Sequence, residues 1–355
     1  MKKMALILQG GGALGAFEYG VVSKLVELGW QPTAVSGVSI GAVNAAAIAG
    51  ARGGDIIASL HAMWEAITLP QLPMLPASLQ GNLSLLGNPN FWRSRSDFFN
   101  MMRWTSLCDT SPMHATLGSH CDFEQINDDK HMRFAVTATN LHTGGPTTFC
   151  NHHASGAHTH AGNHTSTETV LTPAHVLASG SLPPGFPSTR IGNDHFWDGG
   201  LFSNTPIDAL LNMLEPNEIA TLPIFVVDLF PTDGQALPAN MMEVQTRTMA
   251  LQYQNRFWTQ YGGDGRLEGF VAMLEELERE LPAKSTLRKQ PAFQWLARLQ
   301  ALKNIQVISS AAAPEGGDHD FSKYGVNKAY EAGRAAVVSH VEQAARKKPL
   351  LRDAA

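Results

Sequence analysis

Covalent cross-links and membrane anchors are what this sequence lacks most clearly. It contains only three cysteines, Cys108, Cys121 and Cys150, and they form no CxxC pair. This odd, widely spaced set argues against a disulfide framework or a thiolate zinc site, and it suggests a reducing compartment. No stretch approaches the roughly 18 consecutive apolar residues of a transmembrane helix. We therefore expect a cytoplasmic protein, with peripheral membrane contact left open.

Charge is also scarce. Charged residues make up 16% of the 355 residues, and the formal net charge is −5. This balance gives no reason to expect nucleic acid as a partner. The hydrophobic fraction of 44% is that of an ordinary globular chain with a sizeable core. The length suits one large α/β domain, or one domain with an extension.

The N-terminal part of the chain predicts a strand, a glycine loop, a helix, a second strand and a second helix. Apolar runs at 4–9 and 34–38 have the length and composition of buried parallel strands. Helical spacing of apolar residues follows the first run, and an alanine-rich stretch at 42–49 follows the second. Because the connections are short, we expect a βαβ unit and a parallel sheet covered by helices.

Three later segments are less regular. Residues 69–118 mix prolines with large apolar residues, which fits either irregular packing or a mobile apolar wall over a site for greasy substrates. Residues 151–169 are rich in His, Ser, Thr and Gly and are expected to form a loop insertion. Beyond about residue 235 the chain becomes more helical. We therefore predict a catalytic domain at 1–235 and a C-terminal helical extension at 236–355, packed on it.

A nucleophile motif stands between the second strand and the second helix. Gly37-Val38-Ser39-Ile40-Gly41 matches G-x-S-x-G. In that context the serine occupies a sharp turn, and its hydroxyl projects from the carboxyl edge of the sheet. Gly37 and Gly41 let the neighbouring backbones approach. We therefore predict Ser39 as a nucleophile.

The loop after the first strand, Gly10-Gly11-Gly12-Ala13-Leu14-Gly15, also matches the dinucleotide-binding pattern G-x-G-x-x-G. A Rossmann site needs an acidic residue about 20 positions further on to hold the ribose. Residues 35–37 of this chain contain no acid, which argues against an NAD-dependent oxidoreductase. The same glycines suit an oxyanion hole, whose backbone N–H groups turn toward a carbonyl oxygen.

The base that would activate Ser39 has two candidate arrangements. Asp198 is followed by Gly199 and Gly200, which permit a tight turn and close approach to the serine, so the aspartate can act directly in a dyad. The other arrangement is a Ser-Asp-His triad, with Asp228 at the end of a predicted strand. Two later histidines are candidates for its third member, His319 and His340.

Together, GGGALG at 10–15, GVSIG at 37–41 and DGG at 198–200 resemble the motifs of the bacterial patatin-like phospholipases. The stretches at 178–187 and 203–206 resemble the family as well, and the resemblance covers about residues 4–235. The region after 235 looks like the helical extension on one bacterial branch of that family.

The resemblance implies a three-layer α/β/α fold with a mostly parallel central sheet, and a Ser–Asp dyad that uses no histidine, metal or other cofactor. Ser39 matches the family nucleophile and Asp198 the base. Gly10, Gly11, Gly12 and Gly15 match the oxyanion loop. Many members carry Arg or Lys where this chain has Leu14, which weakens the expectation of a preference for anionic phospholipids. The implied substrate is a lipid or another acyl ester.

The histidines of the predicted insertion favour a solvated loop over a metal site. They have no fixed ligand spacing, and no carboxylate occurs among them before Glu168. The residues concerned are His152, His153, His158, His160 and His164.

Three alternatives to a phospholipase remain open. The same dyad can serve a thioesterase or an intracellular polyhydroxyalkanoate depolymerase, because the sequence does not define the acyl pocket. A scaffold that binds lipid or a partner without turnover is a third possibility, and the presence of both Ser39 and Asp198 argues against it.

Overall fold

The computed structural model describes residues 1–72, 76, 80–231, 237–254, 265–310 and 317–347. The strands are β1 Lys2–Leu8, β2 Trp30–Gly37, β3 Gly87–Asn88, β4 Trp92–Ser94, β5 Cys108–Asp109, β6 Arg133–Asn140, β7 Pro146–Cys150, β8 His160–Ala161, β9 His164–Glu168, β10 Thr189–Ile191, β11 Asp194–Asp198, β12 Ile224–Asp228 and β13 Ile305–Ser309. The α-helices are α1 Gly15–Glu27, α2 Ile40–Ala49, α3 Ile56–Ile67, α4 Ser111–His120, α5 Phe123–Ile126, α6 Pro173–Ser179, α7 Ile207–Met213, α8 Met241–Tyr253, α9 Arg266–Glu280, α10 Pro291–Arg298 and α11 Lys323–Lys347.

The central sheet is mostly parallel, as predicted. Its strands lie in the order β13-β12-β1-β2-β6-β7-β9-β8, and the β10–β11 hairpin joins it through the pairing of β11 with β6. Strands β13, β12, β1, β2 and β6 run parallel to one another. Strands β7 and β11 pair antiparallel with β6, and β8 pairs antiparallel with β9. Strands β3, β4 and β5 form a separate small sheet.

Two hydrophobic cores lie on opposite faces of the sheet and make the fold three-layered. Side chains alternate along β1, so Leu6 and Leu8 belong to the core beneath α1, α2 and α3, while Ile7 belongs to the core beneath α7 and α9. Strand β1 is buried from Met4 onward because helices cover both sides of the sheet there. The prediction of an α/β/α fold with a mainly helical C-terminal part is confirmed.

The C-terminal part of the chain is joined closely to the rest. Strand β13 pairs with β12 at one edge of the sheet. Helix α11 packs on α1 so closely that a Cβ at Gly333 would overlap the carbonyl oxygen of Phe17, and one at Gly20 would overlap that of Tyr330. The predicted boundary at 235 lies outside the described residues, and the division into two domains stays a prediction.

The structure differs from the loop prediction at 151–169. Strand β9 pairs in parallel with β7, from Thr147 opposite Thr165 to Cys150 opposite Glu168, and β8 pairs with β9. The threonines of β9 are β-branched and suit a pleated strand. Within β9 only Ser166 is buried, and it is polar. The apolar alternation that would have indicated a strand is therefore missing from the sequence.

Within the described ranges, no helix has the length and apolar character needed to cross a bilayer.

Candidate active site

Ser39 occupies the turn between β2 and α2, as the motif predicts. Its φ and ψ are 55° and −123°, and it is the one non-glycine residue with a positive φ in the part of the chain that the structure describes. This backbone conformation is unfavourable for a residue with a side chain, and such strain is typical of nucleophile turns. A Cβ at Gly41 would lie 2.5 Å from the Leu8 carbonyl oxygen, so the motif glycine is required by space.

Asp198 lies near Ser39 because β6 pairs with both β2, which leads into the serine turn, and β11, which ends at Asp198. Val136 of β6 lies opposite Gly37 of β2, and Ala138 of β6 lies opposite Asp198 of β11. The Gly200 amide donates a hydrogen bond to the Asp198 carboxylate at 2.7 Å, and the Ser39 hydroxyl lies close enough to this carboxylate to favour its charged form. Residues 159 positions apart in the chain thus meet at one edge of the sheet.

The environment of Asp198 changes its acidity. The residue is 2% exposed. Burial raises the pKa of its carboxyl group from 3.8 to about 6, and the Ser39 hydroxyl and the Gly200 amide oppose that rise because they favour the charged form. A carboxylate with a pKa near 6 is a stronger base than an ordinary aspartate and is still mostly ionised at neutral pH.

The glycine loop after β1 lies directly against Ser39. A Cβ at Gly10 would lie 2.8 Å from the Ser39 Cβ. The Gly10 amide donates to Asn204 Oδ1 at 3.0 Å, and the Gly15 amide donates within the helical turn that follows the loop. In the described part of the chain, the amides of Gly11 and Gly12 donate to no acceptor. These two amides are therefore the ones available to an oxyanion.

Asn204 fixes the loop, and sequence reasoning did not single it out. Besides accepting from the Gly10 amide, its Nδ2 donates to the carbonyl oxygens of Gly10 and Tyr253, at 3.0 and 3.1 Å. Asn204 follows the DGG turn closely in the chain. It lies within residues 203–206, which the sequence comparison used only as additional support for the family resemblance. One side chain thus ties the glycine loop to helix α8.

A buried polar network supports the same loop from below. The Glu18 carboxylate accepts from the Gln9 amide at 2.7 Å and from Asn44 Nδ2 at 2.9 Å. Asn44 Nδ2 also donates to the Gly15 carbonyl oxygen, at 2.9 Å. Burial raises the pKa of Glu18 well above its usual value. In the sequence, this network could have been found from Glu18, an acidic residue that follows Phe17 on the apolar face of α1.

The residues of the alternative triad make other contacts. Asp228 accepts from the Phe230 amide and the Ser309 hydroxyl, at 3.2 and 3.1 Å. The His340 ring contacts the Gln306 side chain in the region of β13, at 3.1 Å. His319 pairs with Asp318, with 3.6 Å between Nδ1 and Oδ1. Among the described residues that line the pocket at Ser39, there is no histidine.

The pocket at Ser39 is a small depression that opens to solvent. Its wall combines the glycine loop, the Asp198 turn and residues from the C-terminal part of the chain. The lining residues are Gly10, Gly11, Gly12, Ser39, Leu182, Asp198, Asn204, Phe230, Met249, Tyr253 and Asp318. The predicted nucleophile, the predicted base and three of the four predicted oxyanion glycines therefore line one pocket, whereas Gly15 is not part of the lining.

The histidines of 151–169 are engaged separately. His152 bridges Asp129 and Glu215, with Nδ1 and Nε2 at 3.1 and 2.8 Å from the carboxylate oxygens. The His153 ring lies 2.8 Å from the Ser166 hydroxyl. Among the described residues, no group of three or more His, Cys, Asp or Glu side chains is arranged to hold a metal ion.

Comparison with known proteins identifies one family. A family model described as patatin-like phospholipase matches residues 6–211, more than half of the chain. Among solved structures, the crystal structure of VipD from Legionella pneumophila matches with 14% identity and a TM-score of 0.39, over 97% of this chain and 67% of that one. No curated protein matches the chain significantly. The family match contains the serine turn, the glycine loop and the DGG turn.

Proposed function

Because this chain belongs to the patatin-like phospholipase family, whose members are in general lipid acyl hydrolases, we propose that it hydrolyses carboxylic esters with a Ser39–Asp198 dyad. The observation that carries this proposal is the position of Ser39, at a strained turn, in the same pocket as a buried carboxylate of raised pKa. A serine hydroxyl needs a proton acceptor to become an effective nucleophile, and this carboxylate supplies one.

Acylation begins when Ser39 Oγ attacks the ester carbonyl carbon and its proton passes to Asp198. The carbonyl oxygen becomes an oxyanion that the Gly11 and Gly12 amides stabilise. The first residue of α2, Ile40, adds the positive potential of a helix N-terminus. When the tetrahedral intermediate collapses, the bond to the alcohol breaks and Asp198 returns the proton to the leaving alkoxide. The product is an acyl-enzyme and a free alcohol.

Deacylation repeats these steps with water. Asp198 removes a proton from a water molecule, the resulting hydroxide attacks the acyl carbonyl, and Ser39 Oγ leaves and takes the proton back. The free carboxylic acid is released and both residues return to their initial states. One carboxylate thus serves as the base in each half-reaction and as the acid when each intermediate collapses.

Turnover of p-nitrophenyl butyrate by purified variants tests the dyad. Replacing Ser39 or Asp198 with alanine should lower kcat/KM at least about 1,000-fold. Ser203→Ala is a matched control, because its hydroxyl lies near the DGG turn but donates to the Thr205 carbonyl oxygen and not into the pocket. Full activity in Asp198→Ala would refute the dyad, and a selective loss in His319→Ala would favour the triad.

The substrate class separates the remaining possibilities. A panel of phospholipids, thioesters and short polyhydroxyalkanoate chains, assayed against Ser39→Ala as the blank, would identify a thioesterase or a depolymerase. Labelling by a fluorophosphonate probe tests the non-catalytic scaffold, because only an activated serine reacts. Absence of labelling at Ser39 in folded protein would support the scaffold and contradict the hydrolase.

We also propose that an apolar rim touches a lipid surface. The apolar rim comprises Phe99, Met101, Met102 and Leu107, whose side chains are all exposed, Phe99 and Met102 almost completely. The Leu107 amide donates to the Pro184 carbonyl oxygen at 3.0 Å, close in the chain to Leu182, which lines the pocket. An exposed apolar group of this kind is typical of a surface that contacts a membrane.

A further inference from the structure

The outer wall of the pocket has a composition that the proposed chemistry does not need. Phe230 and Met249 supply apolar surface, Tyr253 supplies an aromatic ring and a hydroxyl, and Asp318 supplies a carboxylate. We propose that this wall is a subsite for an organic ammonium group, so that the preferred ester carries a cationic head. This inference rests on the proposed esterase function and names its substrate class.

The two aromatic rings of this wall lie next to each other. The centroids of Phe230 and Tyr253 are 5.9 Å apart, and the ring planes are inclined by 35°. The backbone of Tyr253 is held by Asn204, and a Cβ at Gly200 would lie 3.3 Å from Tyr253 Cε1. The tyrosine ring is therefore packed against the turn that carries the base, close to the reacting atoms.

Asp318 closes the other side of the same pocket. A Cβ at Gly12 would overlap the Asp318 carbonyl oxygen and lie 3.4 Å from the Asp318 Cβ. Asp318 thus neighbours the oxyanion loop through its backbone and Cβ, while Tyr253 neighbours the base turn. A substrate whose carbonyl is bound between Ser39 and the loop has its head group within reach of both.

The charge of the pocket favours a cation. Asp198 and Asp318 are the carboxylic acids in the lining, and the described lining residues include no Lys, Arg or His. Burial, followed by the charges of Asp198 and Asp318, raises the pKa of Tyr253 to about 12, which keeps its phenol protonated. Leu14, where many relatives carry a cation, is buried in the apolar core and adds no positive charge.

Aromatic faces and a carboxylate are the groups that recognise ammonium ions in proteins. A quaternary ammonium is attracted to the negative face of an aromatic ring, and a nearby carboxylate adds a charge interaction. An anionic head group would instead face two carboxylates, and like charges in a partly desolvated pocket repel each other. The wall therefore discriminates between head groups by charge.

The test compares hexanoylcholine with its uncharged carbon isostere, in which a tert-butyl group replaces the trimethylammonium group. The two esters share their acyl chain and size, so the ratio of their kcat/KM values isolates the charge. We expect wild-type protein to favour the choline ester roughly tenfold. Asp318→Asn and Tyr253→Leu should bring the ratio close to one, whereas Tyr253→Phe should preserve most of it because the ring remains.

Two further variants exclude general effects of charge. Glu331→Gln removes one exposed acid of α11 that is not part of the pocket lining and should leave the ratio unchanged. His319 pairs with Asp318, and that contact raises the pKa of the imidazole, so the ring opposes the subsite whenever it is protonated. His319→Gln removes this competitor and should raise the ratio.

The possible failures are distinguishable. If wild-type protein hydrolyses both esters at equal rates, the ammonium subsite is refuted and the esterase function stands. If it prefers the choline ester but Asp318→Asn and Tyr253→Leu retain that preference, this wall is not the subsite. If it hydrolyses neither ester and Ser39 resists a fluorophosphonate probe, the proposed function fails, and the subsite fails with it.

Discussion

Replacing Asp198 with asparagine should slow ester hydrolysis and also stabilise the folded protein at neutral pH. The carboxyl group is 2% exposed, and burial raises its pKa from 3.8 to about 6. A buried carboxylate that is charged at neutral pH lowers the free energy of unfolding. Asparagine keeps an oxygen that can accept from the Gly200 amide but carries no charge.

The magnitude follows from the two pKa values. Because the pKa is higher in the folded state, protonated Asp198 favours folding below pH 3.8, and that contribution is lost as the pH rises through about 6. A shift of about two units at 1.36 kcal/mol each corresponds to about 3 kcal/mol. The unfolding free energy of Asp198→Asn relative to wild type should therefore increase with pH by about 3 kcal/mol, mostly below pH 6.

Denaturant unfolding measured at several pH values, with kcat/KM on the same preparations, checks both effects. Asp194→Asn is the matched control, because Asp194 lies on the same strand β11 but its side chain is 49% exposed. That control should change neither the activity nor the pH dependence of stability. A stability difference for Asp198→Asn that does not vary with pH, or a variant less stable than wild type at high pH, would refute the reasoning.

Three other results are expected. For wild-type protein, kcat/KM should rise with pH and level off above about 6, because Asp198 must be ionised to accept a proton; a flat profile across this range would contradict its role. Gly12→Ala should lower kcat about 100-fold with an unchanged far-UV spectrum, because Gly12 has a φ of 55° and its Cβ would overlap Asp318. The double variant Phe99→Ser and Met102→Ser should bind phospholipid vesicles more weakly in a sedimentation assay, with soluble-ester turnover unchanged; equal binding would exclude the apolar rim.

Sequence patterns were most informative where the structure depends on near neighbours. The βαβ unit was predictable because apolar periodicity and Gly29, whose φ is 84° at the end of α1, are local signals. The serine turn was predictable for the same reason, since strand, motif and helix adjoin in the chain. Strand β9 was missed because a strand of polar and β-branched residues shows no apolar alternation.

The base of Ser39 could not be chosen from spacing alone. Asp198 and Asp228 both end strands, and each was a possible catalytic acid, Asp198 in a dyad and Asp228 in a triad with a histidine. The pairing of β6 with both β2 and β11 puts Asp198 at the serine, whereas Asp228 ends β12, on the far side of β1. Family resemblance favoured Asp198 before the geometry was known, and the catalytic roles of both dyad residues stay predictions until the variants are measured.

The sequence by itself determined the family, the α/β class, and the positions of the serine turn and the glycine loop, because each depends on a short run of residues with a local conformational requirement. Only the tertiary structure decided which groups surround Ser39. Asn204, Tyr253 and Asp318 come from distant parts of the chain and enter the pocket through sheet order and helix packing. Such long-range contacts leave no periodic signal, since packing and not sequence spacing brings the residues together.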